Sequence, residues 1–382
     1  MKKYLIIAAA AALALASCAK VESYQVTEET PIGFSNYAPR TQSKADATLV
    51  NNGALPAGSK IGIYGYSNGT NSLANNAGAV KPEFMDNALV DYDANTSETA
   101  TATDPVRYWP KTTTNVLSFY GYYPYNNAAI TSKPSSATAG LGTFGFTQPT
   151  AVANMVDFMV SDVANDQYYW ESGDAENTNG VKAVNGVVPL TFNHMLSKVN
   201  FKFSHNVELA SGDKIILTSV SLADVNTKGT LTPSYAVPGT PGNLGTTTFS
   251  WGTTANTPAA HVIPVFDEGD GGQELVKDTP KLNNGSDGNA TSADTDFLFI
   301  PQTIADEVVI TINYDIIQGG KTTHNTVEKK LNIIEFGSPA AALTSWEINK
   351  WYTYSFVIGL KEIKFTGSVA NWVDAGTGTL TI

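Results

Sequence analysis

Apolar and polar residues alternate over short stretches along most of the chain, and the three-to-four spacing of long helices is nearly absent. In SKVNFKFSH, Val199, Phe201 and Phe203 fall on one side and Asn200, Lys202 and Ser204 on the other, as in a strand with one face in a core. The same period places Ile216, Thr218, Val220 and Leu222 together, then Val308, Ile310, Ile312, Tyr314 and Ile316, then Tyr352, Tyr354, Phe356 and Ile358. Ile363, Phe365 and Val369 end the series. In the first half, Ile61 and Ile63 share a face opposite Tyr64 and Tyr66, and LSFYGYYP is dense in aromatics. Near the start, PIGFSNY would put Ile32, Phe34 and Asn36 on one side.

Gly, Pro, Asn and Ser clusters such as NNGALPAGS and TSKPSSATAGLG separate these pieces, as turns require. Roughly 16–18 strand candidates at this spacing predict an all-β, antiparallel sandwich architecture. A chain of 382 residues is long for one sandwich, so two domains are the economical reading. The expected division is 46–188 and 189–382, with the break between Gly186 and Ser211.

The first segment has a different pattern. Lys2 and Lys3 precede an apolar run from Tyr4 to Leu15. This run is shorter than the roughly 20 residues that span a bilayer, so residues 1–17 read as a cleaved export signal. Leu15-Ala16-Ser17-Cys18 resembles a bacterial lipobox, which implies a diacylglycerol on Cys18 as the new N-terminus. Cys18 is the chain's one cysteine, so no internal disulfide can form. Residues 18–45 read as a leader segment that includes the first strand.

Composition narrows the function. The net charge is −12, with 15% charged residues. Without clustered Lys and Arg a nucleic-acid partner is not expected. The four histidines, His194, His205, His261 and His324, make no HExxH, and no GxSxG elbow or P-loop occurs. The sequence therefore gives no reason to expect an enzyme, a cofactor or a metal centre. Asp267, Glu268 and Asp270 are the best cation candidate, for Ca²⁺, but they lack EF-hand spacing and read as a solvated acidic loop. His194 in LTFNHMLSK reads as a satisfied histidine near a strand end. YGYYPYN, with Tyr122 and Tyr125, could be a sugar-binding platform or aromatic packing between sheets. Arg40, followed closely by Lys44, lies in the polar stretch NYAPRTQSKAD. Such segments near termini attract proteolysis, and an ordinary linker is the alternative.

Taken in order, RYWP with LSFYGYYP, then PLTFNHMLSKV, then FIPQ before the last strands resemble the fimbrillin-like proteins of Bacteroidota type V pili. The resemblance implies two tandem transthyretin-like β-sandwich domains and export as an outer-membrane lipoprotein exposed at the surface. It implies a maturation protease that cuts after Arg40, or secondarily Lys44, and removes the first strand. It also implies head-to-tail strand exchange with other pilus subunits, the donor being the C-terminal tail with Leu380 and Ile382. A surface ligand on a host or another bacterium would be the remaining partner. The competing expectation is a glycan-binding surface lipoprotein that does not polymerise.

Overall fold

The computed structural model describes residues 29–37, 55, 58–67, 73, 80–92, 99–104, 106–151, 154–169, 180–240, 242–253, 259–263, 272–282, 296–336, 341–359 and 363–371. Met1–Thr30 and Pro31–Ile382 are separate units, and all the strands belong to the second.

The first eleven strands are β1 Gly33–Tyr37, β2 Lys60–Ser67, β3 Met85–Asp91, β4 Thr99–Asp104, β5 Leu117–Tyr123, β6 Ile130–Ser132, β7 Phe144–Thr147, β8 Met159–Ser161, β9 Ala164–Tyr168, β10 Val181–Lys182 and β11 Val187–His194. The chain continues through β12 Ser197–His205, β13 Lys214–Val225, β14 Lys228–Ala236, β15 Thr246–Thr253, β16 Ala259–Ile263, β17 Gln273–Glu274, β18 Lys281–Leu282 and β19 Phe297–Phe299. It ends with β20 Gln302–Thr303, β21 Val309–Gln318, β22 Lys321–Lys330, β23 Glu335–Phe336, β24 Ala341–Ala342, β25 Ser345–Trp346, β26 Lys350–Ile358 and β27 Ile363–Asn371. The protein is all-β. Ten of these 27 strands are only two or three residues long; β2, β5, β12, β13, β21, β26 and β27 fall where the alternation predicts strands, whereas β14, β15 and β22, eight to ten residues long, lie outside those segments.

The first half forms a nine-stranded sheet in the order β10-β9-β5-β2-β3-β4-β1-β11-β8, and β8 also pairs with β5. The hydrogen-bonded path from β5 through β2, β3, β4, β1, β11 and β8 therefore returns to β5. Ile61, Ile63, Val90, Leu117, Phe119, Val188, Leu190 and Phe192 point into one buried core, joined by Ile32 and Phe34.

In the second half, β12, β26 and β27 build one sheet and β16, β13, β21 and β22 another. Val199, Phe201 and Phe203 of the first meet Ile310, Ile312 and Tyr314 of the second in a common core. Most ladders are antiparallel, but β1–β11, β9–β10, β12–β26 and β23–β27 are parallel. Sheet membership changes between His194, the end of β11, and Ser197, the start of β12.

A four-stranded sheet, β15-β14-β7-β6, takes strands from both halves. It covers a third core of Tyr64, Tyr66, Tyr120, Tyr122, Phe144, Phe146, Met195, Leu196 and Leu231. Both faces of β2 and β5 are thus buried, which is why their sequences alternate aliphatic or Phe with Tyr. Gly62 pairs with Tyr122, and the ring of Tyr122 fills the place a Cβ would take.

One face assignment is corrected. Ile216 and Thr218 do not lie with Val220 and Leu222; the buried residues are Ile215, Leu217, Val220 and Leu222. The ladder between β13 and β21 shifts register between Leu217 and Ser219. A bulge inserts one residue and exchanges the faces beyond it, so strict alternation fails at Thr218. Val369 is exposed, not part of a core.

Asp166 departs from the usual rules. It is buried, with φ 49°, and its Oδ1 has no hydrogen-bond partner among the described residues. Burial raises its pKa, against a hydrogen bond from Asn165 that lowers it. A folded pKa above the unfolded one means that stability is lost as pH rises from the ordinary carboxylate range through the raised value. Asp166→Asn removes the charge and tolerates a positive φ. The variant is expected to melt above the wild type at pH 7, with the gap closing below the carboxylate range. Thermal melts across pH check this; a lower melting temperature at pH 7 would refute it.

Candidate functional site

β1 is paired along both of its edges. It runs parallel to β11, with Phe34 opposite Val188 and Asn36 opposite Leu190. On its other edge it runs antiparallel to β4, with Phe34 opposite Ala100. Its two neighbours are far away in sequence, and among the described residues nothing else links β4 to β11. β1 therefore closes the ring.

Alternation along β1 does the rest. Ile32, Phe34 and Asn36 are buried, at 1%, 0% and 5% exposure. The Phe34 ring meets Phe119 edge-on at 5.3 Å. Asn36 Oδ1 accepts from the Leu55 amide at 2.9 Å. The Tyr92 hydroxyl donates to the Phe34 carbonyl at 3.4 Å, and desolvation raises the pKa of that phenol, so it remains a donor. At the entry to the strand, the Ile32 amide donates to the Arg107 carbonyl at 2.9 Å. The Gly186 carbonyl accepts from both the Gly33 amide, at 3.0 Å, and Trp109 Nε1, at 2.9 Å. RYWP is therefore the clamp at the start of β1.

The PLTFNHMLSKV motif joins the cores. Leu190 and Phe192 belong to the first, Met195 and Leu196 to the bridging one, and Val199 to the second. His194 is buried, with Nδ1 3.0 Å from Asp157 Oδ1. Its place at the end of β11 fits a packing role. In FIPQ, Phe299 and Ile300 enter different cores, and the Gln302 amide exchanges hydrogen bonds with the backbone of Asn226 at 2.9 and 3.1 Å.

Tyr122 is not a platform. It is buried, its hydroxyl donates to Asn87 Oδ1 at 2.7 Å, and its ring lies 5.4 Å from Phe144. Desolvation pushes its pKa up to about 12. Tyr125 is half-buried and stacks on Tyr122 at 6.5 Å. These rings pack between sheets.

Cys18, Arg40, Lys44, Asp267, Glu268, Asp270, Leu380 and Ile382 lie outside the described residues. The sequence did not reveal that β1 bridges β4 and β11, or that Trp109 anchors its entry. Both depend on contacts between residues distant in the chain.

The chain is thus an all-β protein in which β1 is paired along both edges over an aromatic core. The fimbrillin-like family model matches residues 47–372, and the chain belongs to that family. It is similar in fold to a fimbrial protein from Bacteroides vulgatus ATCC 8482, with 19% identity, a TM-score of 0.54, and coverage of 89% of this chain and 99% of that one. A candidate cell adhesion protein from Bacteroides uniformis ATCC 8492 aligns at 15% identity and a TM-score of 0.47, covering 90% of this chain and 100% of that one. A fimbrilin from Porphyromonas gingivalis W83 aligns at 12% identity and 0.41, covering 90% and 98%. A search of curated proteins by sequence finds no match.

Proposed function

We propose that this chain is a structural subunit or adhesin of a cell-surface pilus, built from two tandem transthyretin-like domains, 46–188 and 189–382, that divide between Gly186 and Ser211. It is exported as a lipoprotein through Cys18 and reaches the outer face of the outer membrane. A maturation protease cuts after Arg40, or secondarily after Lys44, and a strand from a second subunit replaces β1. The observation that carries this reading is that, among the described residues, only β1 bridges β4 and β11.

The physics of exchange follows from that position. Loss of β1 leaves two rows of unpaired backbone groups and empties the places of Ile32, Phe34 and Asn36. An extended segment with apolar residues at every second position can restore both. The C-terminal tail, with Leu380 and Ile382, is the proposed donor. A donor at one end and an acceptor at the other make a head-to-tail contact that does not close, so the product is a filament. The family match begins at residue 47, beyond β1 and both basic residues.

Incubation of the purified chain with an Arg-specific protease is expected to give a new N-terminus at Thr41, followed by a ladder of oligomers. Arg40→Ala with Lys44→Ala is expected to give neither. Cut chains that stay monomeric would refute polymerisation, and chains cut elsewhere would refute the processing site. On cells, N-terminal sequencing of the surface protein distinguishes a processed subunit from one that keeps the lipid at Cys18.

A further inference from the structure

We propose that Lys198 and Asp296 are joined by an isopeptide bond, a covalent amide that ties β12 to the start of β19. Lys198 is 0% exposed, and its Nζ touches Asp296 Oδ2. The Trp351 ring lies 4.5 Å from the amine. β12 and β19 pair antiparallel, with Lys198 opposite Leu298 and Val199 opposite Phe297. Continuing that register brings Asp296 level with Asn200, on the face that Lys198 also uses. Asn200 Nδ2 donates to Asp296 Oδ1 at 3.3 Å, and Thr353 Oγ1 donates to Asn200 Oδ1 at 2.8 Å. One carboxylate oxygen thus meets the amine, and the other meets a fixed N–H donor.

This arrangement meets the requirements of a condensation. A buried ammonium and carboxylate are both poorly solvated. Transfer of one proton from Nζ to Oδ2, with which it is in contact, frees the amine lone pair and converts Oδ2 to a hydroxyl. The amine lone pair attacks Cγ. Negative charge develops on Oδ1, where Asn200 Nδ2 already donates. The Cγ–Oδ2 bond then breaks, Oδ2 takes a second proton from nitrogen, and one water leaves. The products are a secondary amide and water, with no oxidant and no other reagent. Holding two reacting groups in contact is worth an effective concentration on the order of 10⁵–10⁸ M. The Asp296 side chain is 15% exposed, which gives the water a way out.

The bond closes a loop of roughly 100 residues, a length over which a cross-link strongly restricts the unfolded chain. The one cysteine, Cys18, leaves the chain without an internal disulfide, so the amide would be its covalent staple. This inference stands apart from strand exchange and holds whether or not Arg40 is cut.

Intact-mass measurement of the purified full chain, with both ends sequenced, tests the assignment. The expected mass falls short of the sequence mass by one water. Trypsin is expected to release one branched peptide, residues 183–202 joined to residues 282–321. Lys198→Arg keeps the charge and cannot form the amide, so it is expected to show the full mass and a lower melting temperature. A wild-type chain at full mass overturns the proposal, as does a deficit that survives in Lys198→Arg. A deficit of one ammonia also overturns it, because that would make the Asn200 amide the acceptor. If Lys198→Arg does not fold, the wild-type mass and branched peptide still decide.

Discussion

Phe34→Ala is expected to destabilise the uncut chain by about 3–5 kcal/mol, the usual cost of removing a buried ring from a core. Phe34 is 0% exposed, sits in the middle of β1 and packs edge-on against Phe119. Phe119 lies on β5, which does not pair with β1, so it cannot close the space without moving the sheet. The proposed exchange adds a second, sharper expectation. Once the chain is cut after Arg40 and β1 is replaced, residue 34 is no longer part of the folded protein. Polymers made from Phe34→Ala chains should then melt with wild-type polymers, although the uncut monomers differ. Urea unfolding of monomers and thermal melts of polymers check the two halves separately. A defect that persists in the polymer would mean that β1 stays in place.

Tyr122→Ala is expected to lose a similar amount, about 3–5 kcal/mol by analogy with Phe→Ala. The ring lies against Phe144 and Tyr64, at 5.4 and 6.1 Å, under the sheet that draws strands from both halves of the chain. Tyr122→Phe isolates the hydroxyl. It gives up the 2.7 Å bond to Asn87 and should cost about 1 kcal/mol. The glycan-platform reading expects the opposite pattern: lost ligand binding at unchanged stability. Denaturant curves for both variants, beside a glycan-binding screen, separate the two. Unchanged stability in Tyr122→Ala would show that the ring does not hold the bridging core together.

Some of this was legible in one dimension because its causes are local. Alternation in β12, β21 and β26 identified the faces that enter the apolar core, since side chains on a strand change sides at every residue whatever the partner; the polar face of β12 is buried as well. Val199, Phe201 and Phe203 needed nothing else. The alternation of β13 misled at Thr218, because a bulge is a relation between two strands and leaves no mark on one. Tyr122 and Tyr125 could be read as a surface platform or as packing, since a Tyr suits either setting. Only the sheet β15-β14-β7-β6, laid over them, decides for packing. The same holds for Lys198: its alternation with Val199 suggested a polar face, while Asp296 and Trp351, which meet it, come from distant parts of the chain.

The sequence by itself determined the strand class, the apolar faces of strands such as β12, β21 and β26, and the positions of the single Cys18 after an apolar run and of Arg40 and Lys44 beside the first strand. These follow from side-chain type and spacing along one segment. Only the tertiary structure decided what the first strand is for the fold. Its register between Val187–His194 on one edge and Thr99–Asp104 on the other is set by hydrogen bonds between segments far apart in the chain. Backbone groups are identical in every residue but proline, so no residue type announces which strands will share them.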